Sequence, residues 1–375
     1  MRGYFLAVII IDHMGFFPSV FELFTGRGQL WASAAEGFIM ISGLLVGYVY
    51  GPRMARNALQ ATAKLWRRAF LLYALTVLLT FLFVWWGNHS DIAHIKEGLW
   101  QQPALGEFLY KTLTMQYYYG WADFLPYYAI FMAWAPLALF ACTRGYSWLV
   151  LLTSAAAYLV RGTSFEMAWQ LLFVGMMVVG WHLLAIEAKV RELSPKTKRW
   201  LRGGLYTSAI TLVVLSMFTI RLGEYMTHSY VGFTVLPHIV QSVFLWLDQF
   251  RAFMTPLIDK WTLEPMRLVT ALVWFAALYV FVRSREARVN RMTWGFLRTL
   301  GEHSLAVYVT HAMVIFGLLL ITSGERGILL NTLMNALVVT IVYLAATQWT
   351  ALTRHTKRKV SAGLQRLQLS SEEMR

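Results

Sequence analysis

The chain alternates long apolar runs with short polar connections. Apolar segments fall near 4–20, 33–50, 69–86, 122–141, 146–160, 167–186, 204–220, 264–282, 302–322 and 328–351. A helix crossing a hydrocarbon core ~30 Å thick needs roughly 20 such residues, so the pattern predicts about ten transmembrane helices, 146–160 being short. Residues 231–250 are apolar too, but hold Pro237, His238, Gln241 and Asp248. A re-entrant or interfacial helix on the outer side is expected there, since irregular backbone survives at that depth only where it is buried or lines a cavity. Amphipathic pieces near 92–118 are expected on the same face. The fold class is therefore all-α, a polytopic integral membrane protein.

Charge sets the orientation. Arg53, Arg56, Lys64, Arg67 and Arg68 follow the second segment, and Arg144 follows the fourth. Lys189, Arg191, Lys196, Lys198, Arg199 and Arg202 follow the sixth; Arg283, Arg285, Arg288, Arg291 and Arg298 follow the eighth. The alternate connections are mixed or acidic, with Asp91, Glu97, Glu107 and Asp123 between the third and fourth. By the positive-inside rule both termini are cytoplasmic. One membrane domain over 1–353 and a cytoplasmic tail over 354–375 are expected, with no internal repeat and no cleavable signal peptide.

Composition agrees: 58% of the 375 residues are hydrophobic and 14% charged, and mean hydropathy is +0.52. The net charge of +14 is accounted for by topology, with anionic lipid headgroups as its general partner rather than nucleic acid. The lone Cys142 excludes an intrachain disulfide and a cysteine-based zinc cluster. No metal-ligand spacing, phosphate-binding glycine loop or nucleophile elbow appears.

The polar residues inside apolar runs carry the candidate chemistry, because ionisable groups at membrane depth are costly. Eleven helical steps carry His13 roughly 16 Å from Arg2, near the midplane if Arg2 sits at one face. An imidazole there can act as a general base. Its neighbour Asp12 faces another side of the helix. Glu36 opens the second segment and wants a cation or a watery cavity, while Ala34, Ala35, Gly37, Ser42, Gly43 and Gly47 allow close helix approach. Lys64, Arg67 and Arg68 form either an ordinary cytoplasmic anchor or an anion clamp at the start of the third span. His311 lies ten residues beyond Gly301, roughly 15 Å deep, and shares a helix face with Tyr308.

Together these residues resemble the membrane-bound acyltransferase 3 family. The motifs stand here as Arg2…His13, Phe38…Ser42-Gly43, Lys64…Arg67 and Gly301…Ser304…Tyr308…His311. A closer resemblance is to the OpgC branch, the succinyltransferases of osmoregulated periplasmic glucans. It rests on Ile11-Asp12-His13, Ala34-Ala35-Glu36, Leu125-Pro126-Tyr127-Tyr128, Ala168-Trp169-Gln170 and Glu264-Pro265-Met266-Arg267. Two departures stand out: Met1 directly precedes Arg2 where an Asp-x-Leu lead-in is usual, and Lys64 replaces an arginine.

The resemblance implies O-acyl transfer from cytoplasmic acyl-CoA, succinyl-CoA or acetyl-CoA, to a periplasmic glucan or other envelope glycan. The location implied is the bacterial inner membrane. His13 would be the general base, with Glu36 or Asp12 tuning it and Arg2 anchoring its helix. Ser42, Tyr308 or His311 would stabilise the oxyanion, and Lys64, Arg67 and Arg68 would hold CoA phosphates. Arg267 or Lys260 would meet a succinyl carboxylate, and the outer segment 221–263 would receive the sugar. The acyl group would pass directly or through an acyl-histidine. No permanent cofactor or metal is implied. A proton-coupled transporter is the alternative reading, since it too would use midplane histidines.

Overall fold

The computed structural model describes residues 1–28, 30–89, 99–100, 104–120, 124–228, 238–319 and 327–349. Every regular element among them is helical. Leaving aside the short pieces Glu22–Thr25, Gly26–Gly28 and Thr255–Ile258, these are in chain order α1 (Arg2–Met14), α2 (Ala34–Arg56), α3 (Ala58–Asn88), α4 (Leu105–Leu113), α5 (Phe124–Thr143), α6 (Ser147–Leu159) and α7 (Phe165–Trp181). They continue as α8 (Leu183–Glu192), α9 (Pro195–His228), α10 (His238–Met254), α11 (Pro265–Met292), α12 (Phe296–Glu302), α13 (Ser304–Leu319) and α14 (Ile328–Trp349). Six are long and apolar enough to cross a membrane: α2, α3, α5, α9 over Pro195–Ile220, α11 and α14. The pair α7 and α8, bent by 63°, adds a seventh if it counts as one span.

The chain divides into two compact units, Met1–Phe21 with Glu286–Arg375, and Glu22–Arg285. The larger is built around α2 and α7. A methyl group on Gly43 would stand 2.2 Å from the Phe173 carbonyl oxygen, and one on Gly47 2.0 Å from that of Met177. From the other side, one on Gly180 would stand 2.1 Å from the Leu44 carbonyl. Only glycine lets the two backbones touch, which is how apolar helices associate where lipid is as greasy as their side chains. Trp169 and Phe173 fill the layer beside this seam and are fully buried.

The helices of this unit carry different residues at their two ends. Arg53 and Arg56 close α2, and Arg283 of α11 pairs with Glu187 of α8 at 3.3 Å. At the opposite ends, Glu36 of α2 meets Arg267 of α11, and Trp169 of α7 donates to the Lys260 carbonyl at 2.9 Å.

In the smaller unit α1 packs on α12 and α13. A methyl group on Gly3 would overlap the Leu297 carbonyl oxygen at 1.8 Å, and one on Gly301 would lie 3.1 Å from the Gly3 nitrogen. α1 stops at Gly15, which takes a left-handed φ of 63°. The irregular stretch after it is tied to α14. Asn335 donates to the Phe16 carbonyl at 3.0 Å, Asn331 to the Pro18 carbonyl at 3.1 Å, and the Thr332 hydroxyl accepts from the Val20 amide at 3.0 Å. Unwound backbone in an apolar setting needs such partners.

Three expectations change, and a fourth is covered only in part. The run 4–20 is helical only through Met14, and 13 residues at ~1.5 Å per residue fall short of a full span. The apolar run misleads because Phe16 and Phe17 extend it past the terminating Gly15. α3 begins at Ala58, capped by Asn57, so Lys64, Arg67 and Arg68 lie inside the helix and not at its N-terminus. α11 runs on to Met292, past 282, losing helical dihedrals only at Arg285 (φ −131°, ψ 21°). Within 231–250, residues 238–250 are helical as the start of α10; 231–237 and the tail 350–375 lie outside the described residues.

Candidate active site

α1 and α13 bring two histidines together. Nδ1 of His13 lies 3.2 Å from Nε2 of His311, with the rings stacked at 5.4 Å and 28°. His311 is completely buried and His13 partly so. Nδ1 of His311 bonds the carbonyl of Tyr308 one turn back, and the Tyr308 ring meets the imidazole edge-on at 4.7 Å.

This geometry orders the protons. A carbonyl oxygen only accepts, so His311 carries its proton on Nδ1. In neutral imidazole the other nitrogen then holds the lone pair. The contact is therefore a His13 Nδ1–H donating to His311 Nε2, which leaves the lone pair of His13 on its own Nε2. A partner that fixes one ring nitrogen decides what the other can do.

The approach of Gly3 to Leu297 and Gly301 starts both helices together, and the histidines meet about ten residues later. Arg2 is half-buried at the first residue of α1, and Asp12 sits one residue before His13, partly exposed. The backbone break between α12 and α13 falls at His303, whose carbonyl accepts from Val307 at 2.9 Å.

Glu36 and Ser42 belong to the larger unit. Glu36 is fully buried; its Oε2 accepts from the Ser33 amide at 2.8 Å and the Ser33 hydroxyl at 2.6 Å, closing a capping box on α2. Its Oε1 accepts from Nε of Arg267 at 2.5 Å. Arg267 is 5% exposed, gives Nη1 to the Ile258 carbonyl at 3.3 Å, and keeps Nη2 without a hydrogen-bond partner among the described residues. The Ser42 hydroxyl is likewise buried and unsatisfied there. Lys64 and Arg67 are exposed and Arg68 half-buried, three and four residues apart on one face of α3. That face is a row of cations without the helix-terminus dipole expected of it.

In the sequence Arg267 is marked only as one of two cations for a substrate carboxylate, and its pairing with Glu36 is missed. The usable signal is the need of Glu36 for a cation, which Arg267 meets from the apolar opening of α11. Asn331 and Asn335 make side-chain to backbone contacts that the sequence reading also misses; two asparagines at i, i+4 in an otherwise apolar helix mark a buried polar contact.

The family described as OpgC protein matches residues 1–354. The chain belongs to the OpgC family. No curated protein and no solved structure matches it. OpgC membership, with six apolar helices of spanning length, makes this a membrane protein of a family associated with glucan-modifying acyl transfer. In this OpgC chain the matched region holds the histidine pair, the Glu36–Arg267 pair and the cationic face of α3 alike.

Proposed function

We propose that this protein is a membrane-embedded O-acyltransferase of the acyltransferase 3 type, resident in the bacterial inner membrane. It moves an acyl group from cytoplasmic acyl-CoA to hydroxyls of a periplasmic glucan. The observation that carries the reading is the His13–His311 contact, with Nδ1 of His311 against the Tyr308 carbonyl.

The acceptor hydroxyl oxygen attacks the thioester carbonyl carbon while His13 Nε2 takes the hydroxyl proton. As Nε2 is protonated, His13 becomes a cation whose Nδ1–H is already held by His311 Nε2. His311 keeps its own proton on Nδ1, donated to the Tyr308 carbonyl, so it orients and stabilises the ring without changing charge. Collapse of the tetrahedral intermediate breaks the carbon–sulfur bond, and Nε2–H returns its proton to the sulfur. The products are an ester and free CoA, and the dyad is restored.

Lys64, Arg67 and Arg68 present their cationic face to the phosphates of CoA on the cytoplasmic side. Succinyl is the favoured acyl group, because the unused Nη2 of Arg267 is a buried donor suited to a carboxylate. The topology that fits has both termini in the cytoplasm and about ten passes, several of them short helices.

The test is transfer of label from succinyl-CoA or acetyl-CoA to periplasmic glucan by the purified protein in detergent. Wild type is expected to label the glucan. His13→Ala, with an unchanged size-exclusion profile, is expected to label none. His311→Gln, which keeps an acceptor near His13 but loses the fixed ring, is expected to lose roughly a hundredfold in rate. Undiminished transfer by His13→Ala refutes the assignment.

A further inference from the structure

We propose that Trp261 is a stacking platform for a pyranose ring of the glucan acceptor, an inference that rests on the acyl-transfer reading above. Its indole is 62% exposed on the loop between Ile258 and α11. Beneath it the ring of Phe165 stands edge-on at 5.7 Å and 66°. Phe165 in turn stacks on the fully buried Trp169 at 4.6 Å and 17°. The exposed ring thus tops a column of aromatics that continues into the core.

The loop that presents it is pinned on both sides. Trp169 donates its indole N–H to the Lys260 carbonyl at 2.9 Å, and Arg161 Nε to the Thr262 carbonyl at 2.6 Å. The Tyr158 hydroxyl donates to the Leu263 carbonyl at 2.8 Å, and Arg161 Nη2 pairs with Glu264 at 2.9 Å. Asp259 accepts from the Thr262 amide at 2.9 Å and hydroxyl at 2.8 Å. Residues from α6, from α7 and from the turn between them hold the backbone that carries this exposed indole.

A tryptophan at a membrane interface has an ordinary explanation as a lipid anchor. An anchor gains nothing from a locked backbone, because it partitions by area in any orientation. A ligand platform does gain, since a ring held in place loses no freedom when it binds. The flanking residues point the same way: Asp259 and Lys260 are exposed beside the indole, offering hydrogen bonds to hydroxyls around a sugar whose apolar C–H face covers the ring. By the charge distribution this end of the larger unit is opposite its basic end, hence the outer side.

The experiment is calorimetric titration of full-length protein in detergent with purified periplasmic glucan, without acyl donor. Trp261→Ala and Trp261→Leu are expected to weaken binding on the order of tenfold, and Trp261→Tyr to keep most of it. Equal glucan affinity in Trp261→Ala overturns the platform. Recovery by Leu as complete as by Tyr also overturns it, and identifies a lipid anchor. Because no donor is present, glucan binding lost in Trp261→Ala stands even if wild type never labels glucan, an outcome that removes the acyl-transfer reading alone. Transfer by wild type with an unchanged KM for glucan in Trp261→Ala removes the platform alone.

Discussion

Gly3 meets Gly301 backbone to backbone, and the same approach puts the Gly3 Cα against the Leu297 carbonyl. A side chain at Gly3 would have to push α1 off α12, because its first carbon falls 1.8 Å from a carbonyl oxygen that cannot move alone. His13 rides on α1, so the displacement is carried to the His13–His311 contact. Gly3→Val is expected to cost ~1–3 kcal/mol of stability by overpacking and to abolish acyl transfer. Gly301→Ala, whose Cβ would sit at 3.1 Å from the Gly3 nitrogen, is expected to be milder on both counts. Thermal unfolding in detergent beside the label-transfer assay checks the pair; a fully active Gly3→Val would separate the helix seam from the chemistry.

The Glu36–Arg267 pair predicts a cycle rather than a single number. Both side chains are buried, so removing one leaves a charge with no water to hold it. Arg267→Met alone is expected to cost about 3–5 kcal/mol. Glu36→Gln together with Arg267→Met removes both charges and is expected to recover much of that loss. The midpoints of thermal unfolding for wild type, both single variants and the double variant give the coupling. Additive losses would mean that the two residues act independently.

The loop below Trp261 is expected to respond to acid. Partial burial disfavours the charged form of Asp259. Bonds from the Thr262 amide and hydroxyl and the Trp261 amide outweigh it, with help from the positive field of Arg267, and hold the carboxyl below its ordinary value. A carboxylate whose folded pKa is depressed stabilises the fold above its unfolded pKa and loses that contribution as pH falls through the folded one. The Thr262 amide is therefore expected to stay protected from hydrogen exchange, after correction for the intrinsic rate, from neutrality down to the ordinary carboxylate range. Below that range its protection should fall. Asp259→Asn should flatten the dependence, and an unaltered acid limb in that variant would assign it to another group.

The histidine pair is legible in the sequence because helical geometry converts spacing into distance along each helix. Arg2 to His13 and Gly301 to His311 are nearly equal intervals, and both end on histidine. The Glu36–Arg267 pair is half legible: the demand for a cation follows from one apolar run, but the donor lies 231 positions away. The length of α1 is not legible from hydropathy, which counts Phe16 and Phe17 as more of the same span. The local signals of Gly15 and Pro18 outweigh it, since a left-handed glycine cap and a following proline end helices. The segment 221–263 is legible as a place for the sugar, but Trp261 is not singled out within it, because an exposed tryptophan and a buried one look alike in sequence.

α14 supplies the last prediction. Its Asn335 is fully buried, and its amide donates to the Phe16 carbonyl just past the end of α1. One turn earlier Asn331 does the same for Pro18. These bonds fix where the chain goes after His13, and so where the His13 ring can rest. Asn335→Leu fills the space but strands the Phe16 carbonyl, a loss of about 1–3 kcal/mol for a buried acceptor. Asn335→Asp removes the donor as well, and adds a charge at a fully buried position, so it is expected to be worse. Asn331→Leu, nearer the helix start, is expected to be milder than Asn335→Leu. If all three variants unfold at the wild-type temperature, the tie between α14 and residues 15–20 contributes nothing to the fold. If they are destabilised in this order and lose transfer in proportion, α14 is what holds His13 in place.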